Sequence, residues 1–530
     1  MFPSWPCTIV AGSLAAFAIA AVQPAMASDT PAVPVLTWQP CTIAAQAGFL
    51  CATAQVPVDY TQPDGASFTL ALIKHPADDP ANQLGTLFWN PGGPTDSGTV
   101  YLPAAIDGFP AQVRSQFDIV SWDPRGMGGS TRPVVQCFDN EQEETNYLTE
   151  HFGSIPDIPY TVPELKADFT ARIAINEICV AREGTLLAHV STTENARDLD
   201  LLRQAVGVDK INYYGTSYGT YLGATYINMF PDKVRAAVLD GAVYPTSWAG
   251  NNKDATVLNT FLRIGSDLGA AETLTAFLSA CGEAGPAHCA FADQTPEATI
   301  VKWNTLLARL AINPVTVDNI QYTKSYMVSY WDNSTYTILP VPGFTRFPGF
   351  TYLANLMQQV WVASESGNQS APPVAPPETP APTTPSTYVT SYGRESAVIC
   401  GESPNLSTIS AEIKQTFISF RRAGLSNFPF TGVCMGWPIR TPDPYLGPWN
   451  KPTAPVLVVG NTFDPATPYA SSQRTAREMY DGHFLTVDGF GHTQLLNPSK
   501  CAQDTIAAYL IDGTLPPDGT RCPQDSPPFP

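Results

Sequence analysis

Residues 210–226 read KINYYGTSYGTYLGATY, and this stretch decides the fold. The run KINYY at 210–214 predicts a buried strand, and residues 217–229 predict a helix that follows it directly. Between them, GTSYG at 215–219 is a G-x-S-x-G motif in the strand–turn–helix context that exposes the central serine. The sharp turn needs small flanking residues, and it places the Ser217 hydroxyl at a helix N-terminus, where the dipole favours a developing oxyanion. Ser217 is therefore the predicted nucleophile.

The segments around this stretch alternate between strand-like and helix-like patterns. Predicted strands cover residues 67–74, 85–90, 117–123, 210–214, 235–240, 454–460 and 484–487. Predicted helices cover residues 193–206, 217–229 and 504–510. This alternation is typical of an α/β protein with a mostly parallel sheet flanked by helices.

A long insertion interrupts the predicted sheet. We assign residues 28–250 and 441–530 to the two parts of one α/β core, and residues 251–440 to a large, mainly helical lid. Within the lid, segment 364–387 is Pro-rich and of low complexity, which predicts an exposed loop.

The composition excludes some classes of function. Of the 530 residues, 44% are hydrophobic, which is enough for a sizeable core, and the net charge is −19 without a basic block. Such a chain is poorly suited to bind a phosphate backbone, so we expect no nucleic-acid partner. The residue pattern does not indicate whether the chain forms oligomers.

The N-terminus predicts export. Residues 8–22 form an uncharged apolar run that is shorter than the about 20 residues of a spanning helix. Ala25-Met26-Ala27 follows and fits a signal-peptidase site. We therefore expect a signal peptide at 1–27, a secreted or periplasmic mature protein, and no stable membrane anchor after cleavage.

Ten cysteines remain after residue 27, and an even number in an exported chain predicts disulfides. Pairing nearest neighbours gives Cys41–Cys51, Cys137–Cys179, Cys281–Cys289, Cys400–Cys434 and Cys501–Cys522. No C-x-x-C motif is present and histidine is scarce, so we expect no metal site and no cofactor.

A serine nucleophile needs a histidine base and an acid, in the chain order serine, acid, histidine for this motif. His492 follows a predicted strand in GFGH at 489–492 and is preferred to His483, which precedes that strand. Asp464 closes the strand at 454–460 and is the predicted acid. Asp240, which closes an earlier strand, is its rival, whereas Asp488 is too close to the histidine.

An oxyanion hole needs two backbone donors. The amide of Tyr218 directly follows the nucleophile, and the glycines of NPGGP at 90–94 allow the backbone to approach a carbonyl oxygen closely. We interpret DPRGMG at 123–128 as a support for the site.

These residues together resemble the secreted tripeptidyl aminopeptidases of actinomycete type, which are related to proline iminopeptidases. The matching stretches are NPGGP at 90–94, WDPRGMG at 122–128, GTSYGTYLGATY at 215–226, VLDGAVYP at 238–245, GNTFDPATP at 460–468 and GFGH at 489–492. The resemblance implies an α/β-hydrolase fold, a triad of Ser217, Asp464 and His492, and oxyanion amides from Gly93 and Tyr218.

This chain departs from the family pattern after NPGGP, where it has Thr95-Asp96-Ser97-Gly98 in place of further glycine. Asp96 brings a carboxylate close to the oxyanion loop, where it can bind a substrate ammonium. An aminopeptidase also needs an acidic group from the lid, and the candidates are Glu395 and Glu402, which flank Cys400.

Three hypotheses of function remain at this stage. The first is an exopeptidase that releases single residues or tripeptides from free N-termini, and the second is an esterase acting on small or natural-product esters. The third is an inactive hydrolase used as a binding module, against which the complete triad argues. A carboxylate that faces the nucleophile favours a peptidase, and a purely apolar pocket favours an esterase.

Overall fold

The structure is a computed structural model that describes residues 30–127, 130–341, 344, 346–366, 388, 390, 392–424 and 431–530. The predicted signal peptide at 1–27 lies outside the described residues, as does the predicted loop from residue 367 to 387. Residues 364–366, which we also placed in that loop, instead end a helix.

Ten strands form one mixed sheet and two form a small hairpin. The strands are β1 (Gln39–Pro40), β2 (Leu50–Pro57), β3 (Ser67–His75), β4 (Gly85–Asn90), β5 (Phe117–Trp122), β6 (Ile211–Thr216), β7 (Val234–Asp240), β8 (Val315–Val317), β9 (Ile320–Tyr322), β10 (Val456–Phe463), β11 (Gly482–Phe490) and β12 (Arg521–Pro523).

The α-helices fall before, between and after these strands. They are α1 (Gly98–Ala105), α2 (Ala111–Gln116), α3 (Glu141–Phe152), α4 (Val162–Leu187), α5 (Thr192–Ala205), α6 (Tyr218–Met229), α7 (Pro245–Ala249), α8 (Thr260–Ile264), α9 (Ser266–Ala284), α10 (Pro296–Ile312), α11 (Lys324–Ser334), α12 (Phe350–Ser366), α13 (Arg394–Glu402), α14 (Ile409–Ala423), α15 (Tyr469–Glu478) and α16 (Lys500–Asp512).

The large sheet has the order β1-β2-β3-β5-β4-β6-β7-β10-β11-β12. Along this order, the pairings from β5 to β12 are parallel, whereas β1 with β2, β2 with β3 and β3 with β5 pair antiparallel. Both faces are buried: Tyr213 packs into the core on one side, and Tyr214 packs into the core on the other. The predicted α/β class is confirmed, because buried parallel strands with helices on both faces are its defining feature.

The parallel arrangement positions the site. Strands β4, β6, β7 and β10 are neighbours, and their carboxyl ends meet at one edge of the sheet. Asp240 ends β7, and the segments that follow β4, β6 and β10 carry Gly93, Ser217 and Asp464. Residues far apart in sequence therefore converge at this edge, as expected for open α/β sheets.

Helices α7–α14 lie between β7 and β10, and most of them build a separate lid core around Phe277, Trp331 and Phe350. This core also includes residues from the part of the chain that we assigned to the α/β core. Leu165 and Phe169 of α4 are fully buried in the lid core.

Five disulfides join the ten cysteines in the pairs given by the nearest-neighbour rule. Within the described residues, no helix is both long and apolar enough to cross a membrane.

Candidate active site

Ser217 occupies a tight turn between β6 and α6. Its backbone has φ 56° and ψ −129°, a conformation that is strained for any residue with a Cβ. The neighbouring backbone is crowded, since a Cβ on Gly219 would lie 2.4 Å from the Asn90 carbonyl oxygen. The motif therefore needs glycine here for a steric reason, and the turn directs Ser217 into a pocket.

His492 and Asp464 form a hydrogen-bonded pair beside Ser217. The imidazole Nδ1 lies 2.9 Å and 3.0 Å from the two carboxylate oxygens of Asp464. Both side chains are buried, and the Asp464 carboxylate also accepts hydrogen bonds from the amides of Ala466 and Thr467. Fixed in this way, Asp464 holds Nδ1 protonated and leaves Nε2 as the basic nitrogen.

The basic nitrogen of His492 is buried and has no hydrogen-bond partner among the described residues. His492 and Ser217 line the same pocket. Hydrogen bonds between a nucleophile and its base are often long in the absence of substrate and shorten in the Michaelis complex. Ser217 and His492 are therefore the candidate nucleophile and the candidate base of this pocket.

The rival residues have other partners. Asp240 accepts hydrogen bonds from the amides of Gln494 and Leu495 and from the Tyr214 hydroxyl, so it supports the loop after His492. His483 pairs with Asp481, and Asp488 pairs with Arg521. The structure thus brings together the residues that the sequence ranked first.

The NPGGP loop packs against the Ser217 turn. Gly92 has φ 107°, and a Cβ there would lie 2.9 Å from the Ser217 Cβ. The Gly92 amide is occupied by the Asn90 side chain, whereas Gly93 lines the pocket together with Ser217. Tyr218 is the first residue of α6, so its amide has no intrahelical acceptor.

Asp123 supports this loop from behind. It accepts hydrogen bonds from the Ser97 hydroxyl and the Thr99 amide, which hold the chain just after Asp96. Arg125 is buried and pairs with Asp198, away from the pocket. Both contacts agree with a supporting role for the DPRGMG segment.

The pocket has two lobes that share Gly93, Ser217, Asn333, Tyr336 and Glu395. The larger lobe has a volume of about 280 Å³, and the smaller lobe has a volume of about 70 Å³. His492 lines the larger lobe with Tyr101, Phe344, Arg346 and Leu495. The smaller lobe is lined by Tyr218, Trp248, Phe261, Ile264 and Ala270.

Two of the three candidate carboxylates reach this pocket. Asp96 lies 3.9 Å from the Arg346 guanidinium and accepts a hydrogen bond from Tyr101, so its charge is partly neutralised. Glu395 lies in the wall shared by the lobes, and no described residue forms a hydrogen bond or salt bridge with its carboxylate. Burial raises the pKa of Glu395 to about 7, and the nearby charge of Asp96 adds to this effect.

The third candidate, Glu402, does not reach the pocket. Its side chain is buried behind Tyr218, where it accepts hydrogen bonds from Thr192 and Trp248. The prediction that Glu402 contacts substrate is therefore wrong, because position near Cys400 did not reveal which face of α13 is covered. Burial raises the pKa of Glu402 to about 7.

Three further residues at the site were not found from the sequence. Thr467 donates from its hydroxyl to Asp464, at 3.1 Å, and lies 3.4 Å from His492 Nδ1. The Tyr336 carbonyl accepts from the His492 amide, and its ring packs edge-on against the imidazole. Thr467 lies in the quoted NTFDPATP motif and could have been suspected, but Tyr336 and Arg346 lie in a lid without a recognisable motif.

Comparisons with known proteins agree with this geometry. The family profile described as TAP-like protein matches residues 424–522, and the profile described as alpha/beta hydrolase fold matches residues 86–263. The chain is 30% identical over 526 residues to serine protease Hip1 of Mycobacterium tuberculosis, covering 92% of this chain and 90% of that protein.

Two other relatives show how the substrates of similar proteins differ. Carboxylesterase B of Mycobacterium tuberculosis is 30% identical over 530 residues, which cover 94% of this chain and 92% of that protein. Tripeptidyl aminopeptidase of Streptomyces lividans is 28% identical over 503 residues, which cover 91% of this chain and 84% of that protein. These relatives identify a serine hydrolase, and they include both peptidases and an esterase.

Proposed function

Because the chain belongs to the TAP-like family of α/β hydrolases, we propose that it is an exported serine exopeptidase that releases single residues or tripeptides from free peptide N-termini. Export is supported by the five disulfides, which persist in oxidising compartments, and by the apolar N-terminal run at 8–22. The observation that carries the peptidase proposal is the Glu395 carboxylate in the pocket wall, to which no described residue forms a hydrogen bond or salt bridge.

The proposed reaction begins when Ser217 Oγ attacks the scissile carbonyl and His492 Nε2 takes its proton. The carbonyl oxygen becomes an oxyanion, which the amides of Gly93 and Tyr218 stabilise. His492 then gives the proton to the leaving amine, and an acyl-enzyme remains on Ser217. Water, activated by the same imidazole, releases the acyl group, while Asp464 stabilises the imidazolium in both steps.

The two lobes receive opposite sides of the scissile bond in this proposal. The leaving group must lie beside His492, which protonates it, and His492 lines the larger lobe. The acyl residue then occupies the smaller lobe, between Trp248, Phe261 and Ile264. Glu395 lies where the lobes meet, so it can accept the α-ammonium of an acyl group attached to Ser217.

We expect Glu395→Gln to lower kcat/KM for peptide amides with a free N-terminus by about 10- to 100-fold, because a charge-assisted hydrogen bond contributes roughly 1.5–3 kcal/mol. Matched amides with an acetylated N-terminus should be cleaved slowly by the wild type and equally slowly by the variant. The quantity to measure is the ratio of kcat/KM for free and blocked substrates.

Asp96→Asn is the matched control, since it removes the other candidate carboxylate in the pocket, whose charge Arg346 already offsets. This variant should retain a clear preference for the free amine. A wild-type ratio near one would reject aminopeptidase action, and loss of the preference in Asp96→Asn alone would assign amine recognition to Asp96.

The preference for a free amine should depend on pH. Glu395 has a pKa of about 7 next to Asp96, Arg394 and Arg172, so it is mostly neutral below that pH and ionised above it. A peptide α-amine loses its proton near pH 8. The free-to-blocked ratio should therefore rise as pH increases through about 7 and decline above about 8. Ionisations that affect both substrates equally cancel in this ratio. Glu395→Gln should remove the increase of the ratio with pH.

The esterase alternative is favoured by the aromatic lining of the larger lobe, which includes Tyr101, Phe344 and Phe347. Such walls accept an apolar alcohol as readily as a peptide. A panel of p-nitrophenyl esters and chromogenic peptide amides separates the two functions. Ester hydrolysis without cleavage of any free peptide amide would establish the esterase.

A further inference from the structure

A chain of hydrogen bonds links Glu402 of the lid to the residue that follows the nucleophile. Glu402 Oε1 accepts from the Thr192 hydroxyl at 2.8 Å, and this hydroxyl is also hydrogen-bonded to the Tyr218 phenol. Because the Thr192 hydroxyl donates its proton to Glu402, its oxygen is left to accept from the Tyr218 phenol. The phenol of Tyr218 is thereby linked to a buried carboxyl group 184 residues later in the chain.

Two further hydrogen bonds hold the Glu402 side chain in place. Its Oε2 accepts from the Thr192 amide at 2.8 Å, which caps the first turn of α5, and Oε1 accepts from the Trp248 indole at 3.0 Å. The Trp248 ring packs against the Tyr218 ring, with centroids 5.4 Å apart. Glu402 therefore holds two of the groups that contact the Tyr218 side chain, the Thr192 hydroxyl and the Trp248 ring.

The helix that carries Glu402 is itself firmly held. A Cβ on Gly393, just before α13, would lie 2.4 Å from Cys179 Sγ, so the start of the helix packs against the Cys137–Cys179 disulfide. Near its other end, Cys400 is joined to Cys434. The same helix presents Glu395, two turns before Glu402, to the pocket.

We propose that Glu402 is a positioning residue that aligns the Tyr218 amide with the oxyanion through Thr192 and Trp248. The Tyr218 side chain and amide belong to one residue at the first position of α6, so fixing the phenol and ring restricts the direction of the amide. The inference rests on the proposed oxyanion role of Tyr218, and it does not require a free-amine substrate.

The test uses p-nitrophenyl acetate, which has no amine, and three variants that break the chain at successive points: Glu402→Gln, Thr192→Val and Tyr218→Phe. Each should lower kcat by about tenfold with KM changed less than about threefold. A tenfold loss is smaller than the roughly 10²- to 10³-fold loss that follows removal of an oxyanion donor, because these variants misalign the Tyr218 amide and do not remove it. The double variant Tyr218→Phe with Glu402→Gln should be no slower than the slower single variant, because substitutions within one hydrogen-bond network do not have additive effects.

Two matched controls separate positioning from loss of packing. Tyr221 lies one turn after Tyr218 on α6, and its ring centroid also lies 5.4 Å from that of Trp248. Tyr221→Phe therefore removes a phenol hydroxyl from a similar position without breaking the chain of hydrogen bonds to Glu402. Glu412→Gln alters another buried lid carboxylate, whose pKa burial also raises to about 7 and whose side chain contacts Gln415. Both controls should keep kcat within about twofold of the wild type, whatever their melting temperatures.

The proposal is overturned if Thr192→Val and Tyr218→Phe keep wild-type kcat, if Glu412→Gln slows the enzyme as much as Glu402→Gln, or if the losses multiply in the double variant. Should Glu402→Gln fail to fold, Thr192→Val and Tyr218→Phe decide the question. Failure of the peptidase proposal would appear separately, as an absence of peptide cleavage with the ester results unchanged.

Discussion

Ser217→Ala should abolish hydrolysis of every ester and peptide amide that the wild type cleaves, with kcat reduced by roughly 10⁶-fold. In the proposed mechanism this hydroxyl forms the acyl-enzyme, and alanine leaves no oxygen to attack the carbonyl. The fold should persist, because alanine and serine meet the same backbone strain at φ 56° and no side-chain hydrogen bond from Ser217 caps α6. Steady-state kinetics and a thermal melt measure the two expectations.

A fluorophosphonate that carries a fluorophore gives a second measure of the same prediction. It should label the wild type at Ser217, as located by peptide mapping, and should not label Ser217→Ala. Ser410→Ala is the control, since Ser410 is an exposed serine at the start of α14. Labelling of the folded Ser217→Ala protein, or activity within tenfold of wild type, would remove Ser217 from the role of nucleophile.

The core of this site could be read from the sequence because its residues follow strands with strong local signals. Buried parallel strands are recognisable apolar runs, and a residue directly after such a run lies at the edge of the sheet. This reasoning placed Ser217, Asp464 and Asn90 before any contact was known. The antiparallel strand β2 was missed, because LCATAQVP alternates small and polar residues and lacks a continuous apolar run.

The lid was less predictable for a different reason. Its helices bury long-range partners, and the sequence shows which residues are apolar without showing what they pack against. Leu165, in the part of the chain that we assigned to the α/β core, packs in the same cluster as Phe277, and Glu402 was taken for a substrate ligand although three donors surround it. Arg346, which offsets Asp96, is an isolated cation in a loop and carries no sequence signal.

Asp464→Asn should lower kcat by about 10⁴-fold while leaving the fold and fluorophosphonate access to the pocket intact. The Asp464 carboxylate accepts from His492 Nδ1 and from the amides of Ala466 and Thr467. An asparagine keeps one acceptor for the two amides, and its NH₂ group then faces Nδ1. The imidazole must turn Nδ1 into an acceptor, which puts the proton on Nε2 and removes the base that Ser217 needs.

Asp240→Asn is the control that makes this prediction specific, because Asp240 is the other buried aspartate at the end of a neighbouring strand. Burial raises its pKa to about 6, and its partners are Gln494, Leu495 and Tyr214. Asp240 does not hydrogen-bond the imidazole, so Asp240→Asn should lower the melting temperature and reduce kcat by no more than about tenfold. This loss is far smaller than the loss of about 10⁴-fold that is expected when the histidine has the wrong tautomer. If Asp240→Asn lowered kcat by about 10⁴-fold and Asp464→Asn did not, the acid of the triad would be Asp240 on β7. The hydrogen bonds between Asp464 and His492 Nδ1 would then not contribute to catalysis.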